Sequence, residues 1–136
     1  MERVAAVEEV PDEGSFLFTV RERESGDTEE AILVRTDGGI RAWRNYCQHF
    51  THIRLDKGDG VRTRNGELVC TNHGAMFDPD SGRCTFGPCE GAYLGSLDIA
   101  VEDGTVYLTD GEYEFVAAGP AERDPTDLSS TSNIEF

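Results

Sequence analysis

The sequence predicts an all-β protein made of antiparallel strands. Short runs rich in β-branched and aromatic residues recur along the chain, and clusters of Gly, Pro, Asp and Asn separate them. Several of these clusters are hairpin signals, which join neighbouring antiparallel strands. No stretch up to residue 46 places its apolar residues at the spacing of an amphipathic helix. These observations together favour β sheets.

Four strands are predicted before residue 47, at 3–7, 15–21, 31–35 and 40–46. The first is expected at a sheet edge, because Pro11 follows it and proline cannot donate a ladder hydrogen bond. Asp37-Gly38-Gly39 forms a tight hairpin loop between the third and fourth strands. The fourth strand leads the chain directly into Cys47.

The second half is predicted to contain further short strands, which bring the total to about nine or ten. Asn65-Gly66 is a hairpin signal between two of them, and Gly87-Pro88 ends another. The later segments are 61–64, 67–70, 75–78, 83–86, 93–101 and 105–109.

Charge and length limit the function. The 136 residues contain 27 acidic and 12 basic side chains, for a net charge of −15, and Lys57 is the only lysine. Nucleic acid is an unsuitable partner because phosphate binding needs a positive surface. The acidity either steers a basic redox partner or is an adaptation to high salt, and its spread along the chain favours the halophilic explanation. No apolar run reaches the length of a membrane span and no signal peptide begins the chain, so a cytoplasmic location is expected.

Two pairs of metal-ligating residues stand out. Cys47-Gln48-His49 and Cys70-Thr71-Asn72-His73 each offer one thiolate and one imidazole. Two thiolates and two imidazoles are the ligands of a [2Fe–2S] centre in which histidines replace two cysteines on one iron. Gly74 follows the second pair and would let the backbone approach the cluster. A Cys₂His₂ zinc finger groups its like ligands together, so the alternating order here does not fit zinc.

From Cys47 through Leu94 the sequence resembles soluble Rieske-type ferredoxins, in particular a group of small stand-alone Rieske proteins. The segments that carry the resemblance are Cys47-Gln48-His49, 70–79, Gly82-Arg83-Cys84, Gly87-Pro88-Cys89 and Gly91. The resemblance implies the Rieske fold, an antiparallel β-sandwich base with an inserted cluster-binding subdomain. It also implies one [2Fe–2S] cluster per chain, with Cys47 and Cys70 on one iron and His49 and His73 on the other.

The domain organisation follows from this resemblance. Residues 1–111 are expected to form the Rieske domain, with the cluster-binding subdomain at about 44–91. Residues 112–136 are rich in Asp, Ser, Thr and Pro beyond Gly119-Pro120 and are predicted to form an acidic tail, disordered or draped over the surface. Tyr113, Phe115 and Val116 within this range could add one more edge strand.

Departures from the respiratory Rieske type predict a low potential. That type has a disulfide between the ligand loops, at the positions that hold His52 and Asn72 here. It also has Ser and Tyr where this chain has Ala75 and Phe77, and their hydroxyls donate to the cluster sulfurs. Without these donors, which raise the potential, the cluster should lie near the low end of the Rieske range of roughly −150 to +300 mV. Oxidised iron should also acidify the free ring N–H of each ligating histidine, so the potential should fall as pH rises.

Other residues near the motifs have more than one interpretation. His52 is either a surface histidine or a residue that tunes the cluster, and Trp43 is expected to pack in the core rather than relay electrons. Cys84 and Cys89 are either buried fillers or a disulfide that braces Gly87-Pro88. The candidates for an apolar rim around the electron exit are Phe50, Met76, Phe86 and Pro88.

The predicted function is one-electron transfer to or from a redox partner protein, such as a donor reductase or an acceptor oxygenase. The catalytic subunit of a Rieske oxygenase needs a second iron site, typically of two histidines and a carboxylate. The chain has only three histidines, His49, His52 and His73, so that site cannot be built. The alternative is an accessory or regulatory Rieske-fold subunit of a larger oxidoreductase complex.

Overall fold

A computed structural model describes residues 2–36, 38–46, 55–56, 58, 60–64, 66–70, 74–87 and 90–119. Within these ranges the chain forms twelve β-strands and one turn of 3₁₀ helix, Val7–Glu9. The strands are β1 (Glu2–Ala6), β2 (Phe16–Glu22), β3 (Thr28–Thr36), β4 (Gly39–Arg44), β5 (Arg62–Arg64), β6 (Glu67–Val69), β7 (Met76–Phe77), β8 (Cys84–Phe86), β9 (Ser96–Leu97), β10 (Ile99–Glu102), β11 (Thr105–Leu108) and β12 (Tyr113–Ala118). The predicted all-β class is confirmed.

The strands form three antiparallel sheets. A three-stranded sheet has the order β1-β11-β10, a five-stranded sheet β12-β2-β3-β4-β9, and a four-stranded sheet β5-β6-β7-β8. β3 runs through the middle of the five-stranded sheet, and its side chains are buried on both faces. Ala31 and Leu33 belong to one apolar core, whereas Ile32 and Val34 belong to a second. The five-stranded sheet therefore contributes to both cores.

The second core joins the five-stranded sheet to the four-stranded sheet. Ile32 and Trp43 pack there with Leu68 and Phe77 of the four-stranded sheet. Trp43 is 6% exposed, and its indole N–H donates to the carbonyl oxygen of Pro79 at 3.0 Å. The location of Trp43 agrees with the expected core packing. This core contains residues of β6, β7 and β8, the strands around the predicted second ligand pair.

The predicted strands agree with the observed ones, with one division that the sequence does not show. The predicted strand 93–101 is split, because β9 pairs with β4 whereas β10 pairs with β11 in another sheet. Asp98 lies between them, and its N–H donates to the Asp110 carboxylate at 3.0 Å while its carbonyl accepts from Thr109 at 2.9 Å. These hydrogen bonds hold the chain where it crosses between sheets.

The edge strand predicted at residues 113, 115 and 116 is also confirmed. It is β12, which pairs with β2 at the edge of the five-stranded sheet. The sheet therefore continues past residue 111 to Ala118. The remainder of the predicted tail, 120–136, lies outside the described residues, and the domain division stays a prediction. Nowhere in the described ranges is there a helix with the length and apolar character needed to cross a membrane.

Candidate metal centre

One of the four predicted ligands lies within the described part of the chain. Cys70 directly follows β6, and its side chain is completely buried. The other three, Cys47, His49 and His73, lie outside the described residues, as do His52, Cys89, Phe50 and Pro88. The assignment of the full ligand set therefore stays a prediction. The structure shows the residues around Cys70 and at the ends of the segment that contains Cys47 and His49.

The loop from Cys70 to Ala75 connects β6 to β7 and is closed by backbone hydrogen bonds. The Cys70 N–H donates to the Ala75 carbonyl at 2.8 Å, and the Gly74 N–H donates to the Cys70 carbonyl at 2.9 Å. Gly74 has a φ of +70°, a conformation that disfavours residues with a side chain. A Cβ on Gly74 would meet no described atom within 4 Å. Among the described residues, the positive φ, and not a lack of space, therefore accounts for glycine at this position. These hydrogen bonds join Cys70 to the residues that precede β7.

Gly87 packs directly against this loop. Its φ is +109°, and a Cβ on it would lie 2.8 Å from the Cα of Ala75, which is closer than real Cβ contacts. Ala75 is itself only 1% exposed. The sequence indicated only that Gly87 ends a strand. Its further role, a close contact with the Cys70 loop, depends on a pairing that the sequence alone does not show.

Cys84 is the first residue of β8 and is completely buried. Its backbone N–H donates to the Ala92 carbonyl at 2.7 Å, and its Sγ lies 3.2 Å from the Phe86 carbonyl oxygen. The burial agrees with a packing role. Its proposed disulfide partner, Cys89, is outside the described residues, so that alternative stays a prediction.

Asn45 joins the two ends of the segment that contains Cys47 and His49. Its side chain is completely buried and pairs with the backbone of Asp56. The Nδ2 group donates to the Asp56 carbonyl at 2.7 Å, and Oδ1 accepts from the Asp56 N–H at 2.7 Å. A side-chain amide thus takes the place of a neighbouring strand. The residues before and after 47–54 are held together by this pair.

The Asp56 side chain organises the backbone that follows. It is 1% exposed; Oδ1 accepts from the N–H groups of Gly58 and Gly60 at 2.8 and 3.0 Å. Oδ2 accepts from the Ser15 hydroxyl at 2.6 Å, and the Ser15 Oγ in turn accepts from the Val61 N–H at 2.9 Å. Three donors to one buried carboxylate compensate for its lost hydration. We call Asn45, Asp56 and Ser15 the polar clamp.

Sequence reasoning missed the polar clamp. The available signal was the spacing Asp56-x-Gly58-x-Gly60, since both glycines have positive φ, at +118° and +94°. An aspartate two residues before a glycine is common in turns, where its side chain binds the following backbone. Its contact with Ser15, 41 residues earlier in the chain, has no local signature.

Tyr46 is fixed immediately before Cys47. Its hydroxyl oxygen accepts from the Glu30 N–H at 3.0 Å, and the Arg44 guanidinium lies 5.7 Å from the ring centre. Arg44 is held in turn by Glu29 at 2.8 Å. Burial raises the pKa of Tyr46 above its usual value, although the hydrogen bond from Glu30 acts in the opposite direction. The chain therefore enters the predicted first ligand pair from a constrained position.

The donor set fits a [2Fe–2S] cluster. Thiolates are the usual ligands of iron–sulfur clusters, and two imidazoles replace two of them in the mixed type. Within the described residues, no three His, Cys, Asp or Glu side chains are placed to hold a metal ion. An iron bound by Cys70 would therefore take its other protein ligands from residues outside those ranges. The complete burial of Cys70 suits a thiolate whose cluster is shielded from water.

Comparisons with solved structures bear on the fold. The chain is 24% identical to the ferredoxin of carbazole 1,9a-dioxygenase from Nocardioides aromaticivorans IC177, with a TM-score of 0.60 over 79% of this chain and 95% of that one. A ferredoxin from Sphingomonas yanoikuyae B1 is 23% identical, with a TM-score of 0.59 over 78% of this chain and 94% of that one. These likenesses support the fold.

A curated relative is longer than this chain. The oxidoreductase NdmD of Pseudomonas putida is 28% identical over 116 residues, which cover 80% of this chain but only 18% of that protein. The model of the Rieske [2Fe–2S] domain family matches residues 1–107, which include β1 to β10 and most of β11. The chain therefore belongs to the Rieske [2Fe–2S] domain family, whose cofactor is a [2Fe–2S] cluster.

Proposed function

We propose that this protein is a one-electron carrier of the ferredoxin type, which serves an oxygenase or another redox partner. The observation that carries the proposal is the histidine count within a Rieske domain. The chain has three histidines, and a Rieske ligand set uses two of them. A mononuclear iron site of two histidines and a carboxylate cannot be built from the one that remains. The histidines of this chain therefore suffice for a Rieske cluster that carries electrons, but not for a mononuclear iron site of this kind beside it.

The proposed ligands are Cys47 and Cys70 for one iron and His49 and His73 for the other. When bound, the cluster accepts and releases one electron. The protein's own residues hold these ligands in place. The polar clamp closes the segment with the first pair, and the Cys70–Ala75 hydrogen bond closes the loop with the second.

The candidate apolar rim is the proposed surface through which the electron passes to the partner. Phe86 is 62% exposed, although it is a large aromatic residue, and it directly precedes Gly87, which contacts Ala75 of the Cys70 loop. A large exposed apolar side chain beside a redox centre suits brief contact with another protein. The thiolate ligands also suit a reducing compartment, which is the basis for the proposed cytoplasmic location.

The accessory-subunit alternative is less well supported. A Rieske-fold subunit that has lost its cluster has no need to keep the ligands, whereas this chain keeps two cysteines and two histidines at the required spacing. We therefore propose a cluster-bearing protein, and direct analysis of iron and sulfide tests this.

The experiment is elemental and spectroscopic analysis of the anaerobically purified protein. A carrier should contain equal amounts of iron and acid-labile sulfide, two of each per chain, whereas an oxygenase would contain a third iron. The dithionite-reduced protein should show an electron resonance signal with the low average g value of mixed nitrogen and sulfur ligation. A colourless protein without sulfide would refute the proposal.

The third histidine provides a matched control for the ligand assignment. His49→Ala and His73→Ala should each abolish the mixed-ligand signal, and Cys47→Ala or Cys70→Ala should prevent cluster assembly. His52→Ala removes an imidazole from the same stretch and should leave the signal and the iron content unchanged. Loss of the cluster in His52→Ala with retention in His49→Ala would contradict the assignment.

A further inference from the structure

The outer face of the four-stranded sheet carries a continuous row of side chains. Arg62 pairs with Val69, Val69 with Met76, and Met76 with Phe86. Residues paired across antiparallel strands project from the same face of the sheet. Leu68 and its partner Phe77 belong to the buried core, so Val69 and Met76 alternate to the opposite face. The row therefore lies on the outer face.

This row adjoins the Cys70 loop. Val69 is the residue before Cys70, and Met76 is the residue after Ala75. Both are half-buried, whereas Phe86 is 62% exposed. The sheet thus presents an apolar strip that begins beside one proposed cluster ligand. The strip is bounded on one side by β5, which is an edge strand.

The β5 edge carries two arginines, although the chain is acidic overall. Six described arginines make ion pairs with nitrogen-to-oxygen distances between 2.8 and 3.8 Å: Arg3, Arg21, Arg23, Arg35, Arg41 and Arg44. Within the described ranges, Arg62, Arg64 and Arg83 have no such carboxylate partner, and all three are exposed. Glu67 is the cross-strand neighbour of Arg64, so Arg62 is the β5 arginine paired with the apolar Val69. The sequence between the two ligand pairs, 50–69, contains four basic and three acidic residues in a chain of net charge −15. Positive charge is therefore available at this edge.

We propose that this arginine-edged face, made of Arg62, Arg64, Val69, Met76 and Phe86, docks an acidic patch on the redox partner protein. Arginine binds carboxylates through its planar fork of donors, and the apolar strip supplies the contact that excludes water. One electron passes between the cluster and the partner, and no atoms are exchanged. The inference rests on the proposed carrier function and adds the chemical class of the partner surface.

Charged residues on an edge strand have a simpler role that must be separated from docking. They prevent the exposed edge from pairing with strands of other molecules. Glutamate is charged as well, so an Arg62→Glu variant keeps this protection. A protective role alone predicts that charge reversal leaves electron transfer unchanged, whereas docking to an acidic patch predicts a slower reaction.

The test measures how fast the reduced holoprotein is oxidised by probes of opposite charge. Plastocyanin, an acidic copper protein, and cytochrome c, a basic haem protein, each accept one electron from the reduced cluster. At low ionic strength, Arg62→Glu should slow the reaction with plastocyanin by about three- to tenfold and speed that with cytochrome c. The difference should disappear near 1 M salt, where screening acts within about 3 Å.

Arg3→Glu is the matched control. It changes the net charge by the same amount, but Arg3 lies in β1 of the three-stranded sheet. Equal rates for Arg62→Glu and Arg3→Glu would overturn the docking proposal, because only the overall charge would then matter. Arg62→Lys keeps the charge but loses the planar fork, so its rate with plastocyanin should lie between that of the original protein and that of Arg62→Glu.

The two proposals fail in different ways. A protein that contains no [2Fe–2S] cluster fails the carrier proposal before any rate is measured. A protein with a normal cluster spectrum and no specific Arg62 effect remains a carrier, but its partner docks elsewhere. Each variant is therefore compared at matched cluster content, and Arg62→Gln provides a second variant that only neutralises the charge.

Discussion

Replacing Asn45 by alanine should release the cluster without unfolding the rest of the protein. The change removes both hydrogen bonds to the Asp56 backbone, each 2.7 Å long, and a third to the Glu30 carboxylate at 3.1 Å. A buried backbone group left without a partner costs about 1–3 kcal/mol, so the two groups of Asp56 cost about 2–6 kcal/mol. The loss of stability should be local to the segment 46–55, because the Asn45 side chain joins the two ends of that segment.

The control for this experiment is Leu108→Ala. Leu108 is 2% exposed, belongs to the core shared with the three-stranded sheet, and should cost about 2–5 kcal/mol when truncated. The two variants are thus matched in overall destabilisation, which the midpoint of thermal unfolding checks. The decisive measurement is the rate at which visible absorbance is lost in the presence of an iron chelator. Asn45→Ala should lose its cluster at least about tenfold faster than Leu108→Ala, as expected for local opening.

Equal rates of cluster loss in the two variants would refute this reasoning. Global stability alone would then control cluster retention, and the Asn45–Asp56 pair would be an ordinary core hydrogen bond. A slower loss in Asn45→Ala than in Leu108→Ala would refute it more strongly, since the ends of the ligand segment would then be held by other contacts.

Three further predictions follow from the same contacts. Gly87→Ala should lower stability by about 2 kcal/mol or more and speed cluster loss, because its Cβ would lie 2.8 Å from Ala75 in a backbone of positive φ; chelator kinetics would detect this. Trp43→Phe removes the donor to the Pro79 carbonyl and should cost about 1–3 kcal/mol, measured as a lower thermal midpoint. Burial raises the pKa of Tyr46, so the protonated hydroxyl stabilises the folded protein fully below the unfolded pKa, and this stability is lost as pH rises through the folded pKa. Tyr46→Phe has no such hydroxyl, so its unfolding free energy should fall less above pH 10 than that of the original protein.

The sequence predicts local structure well because the signals for strands and hairpins are local. The Asn65-Gly66 signal agrees with the observed pairing of β5 with β6, and the turn at 102–104 agrees with the pairing of β10 with β11. The split between β9 and β10 was not predictable, since it depends on which sheet each segment joins. The ligand motif is local in the same sense, because a cysteine and a histidine at fixed spacing are visible in one sequence.

The support of the site was not predictable, because its contacts join distant parts of the chain. Ser15 and Asp56 are 41 residues apart, and nothing near either residue indicates the other. The Gly87 contact with Ala75 depends on the irregular pairing of β7 with β8, where the register shifts. Sequence reasoning can therefore find the ligands of a cluster more easily than the residues that position them.

These contacts join the ends of the two proposed ligand loops, whose sequences lack the cysteines of the respiratory disulfide. The positions of that disulfide hold His52 and Asn72 here, so no such covalent bond joins the loops. The polar clamp closes the first ligand segment through Asn45 and Asp56, and the Gly87 contact supports the second loop at Ala75. Buried hydrogen bonds and close packing are not broken by thiol reductants, whereas a disulfide is. A cluster held in this way suits a carrier that works in a reducing compartment, where a bracing disulfide would be opened.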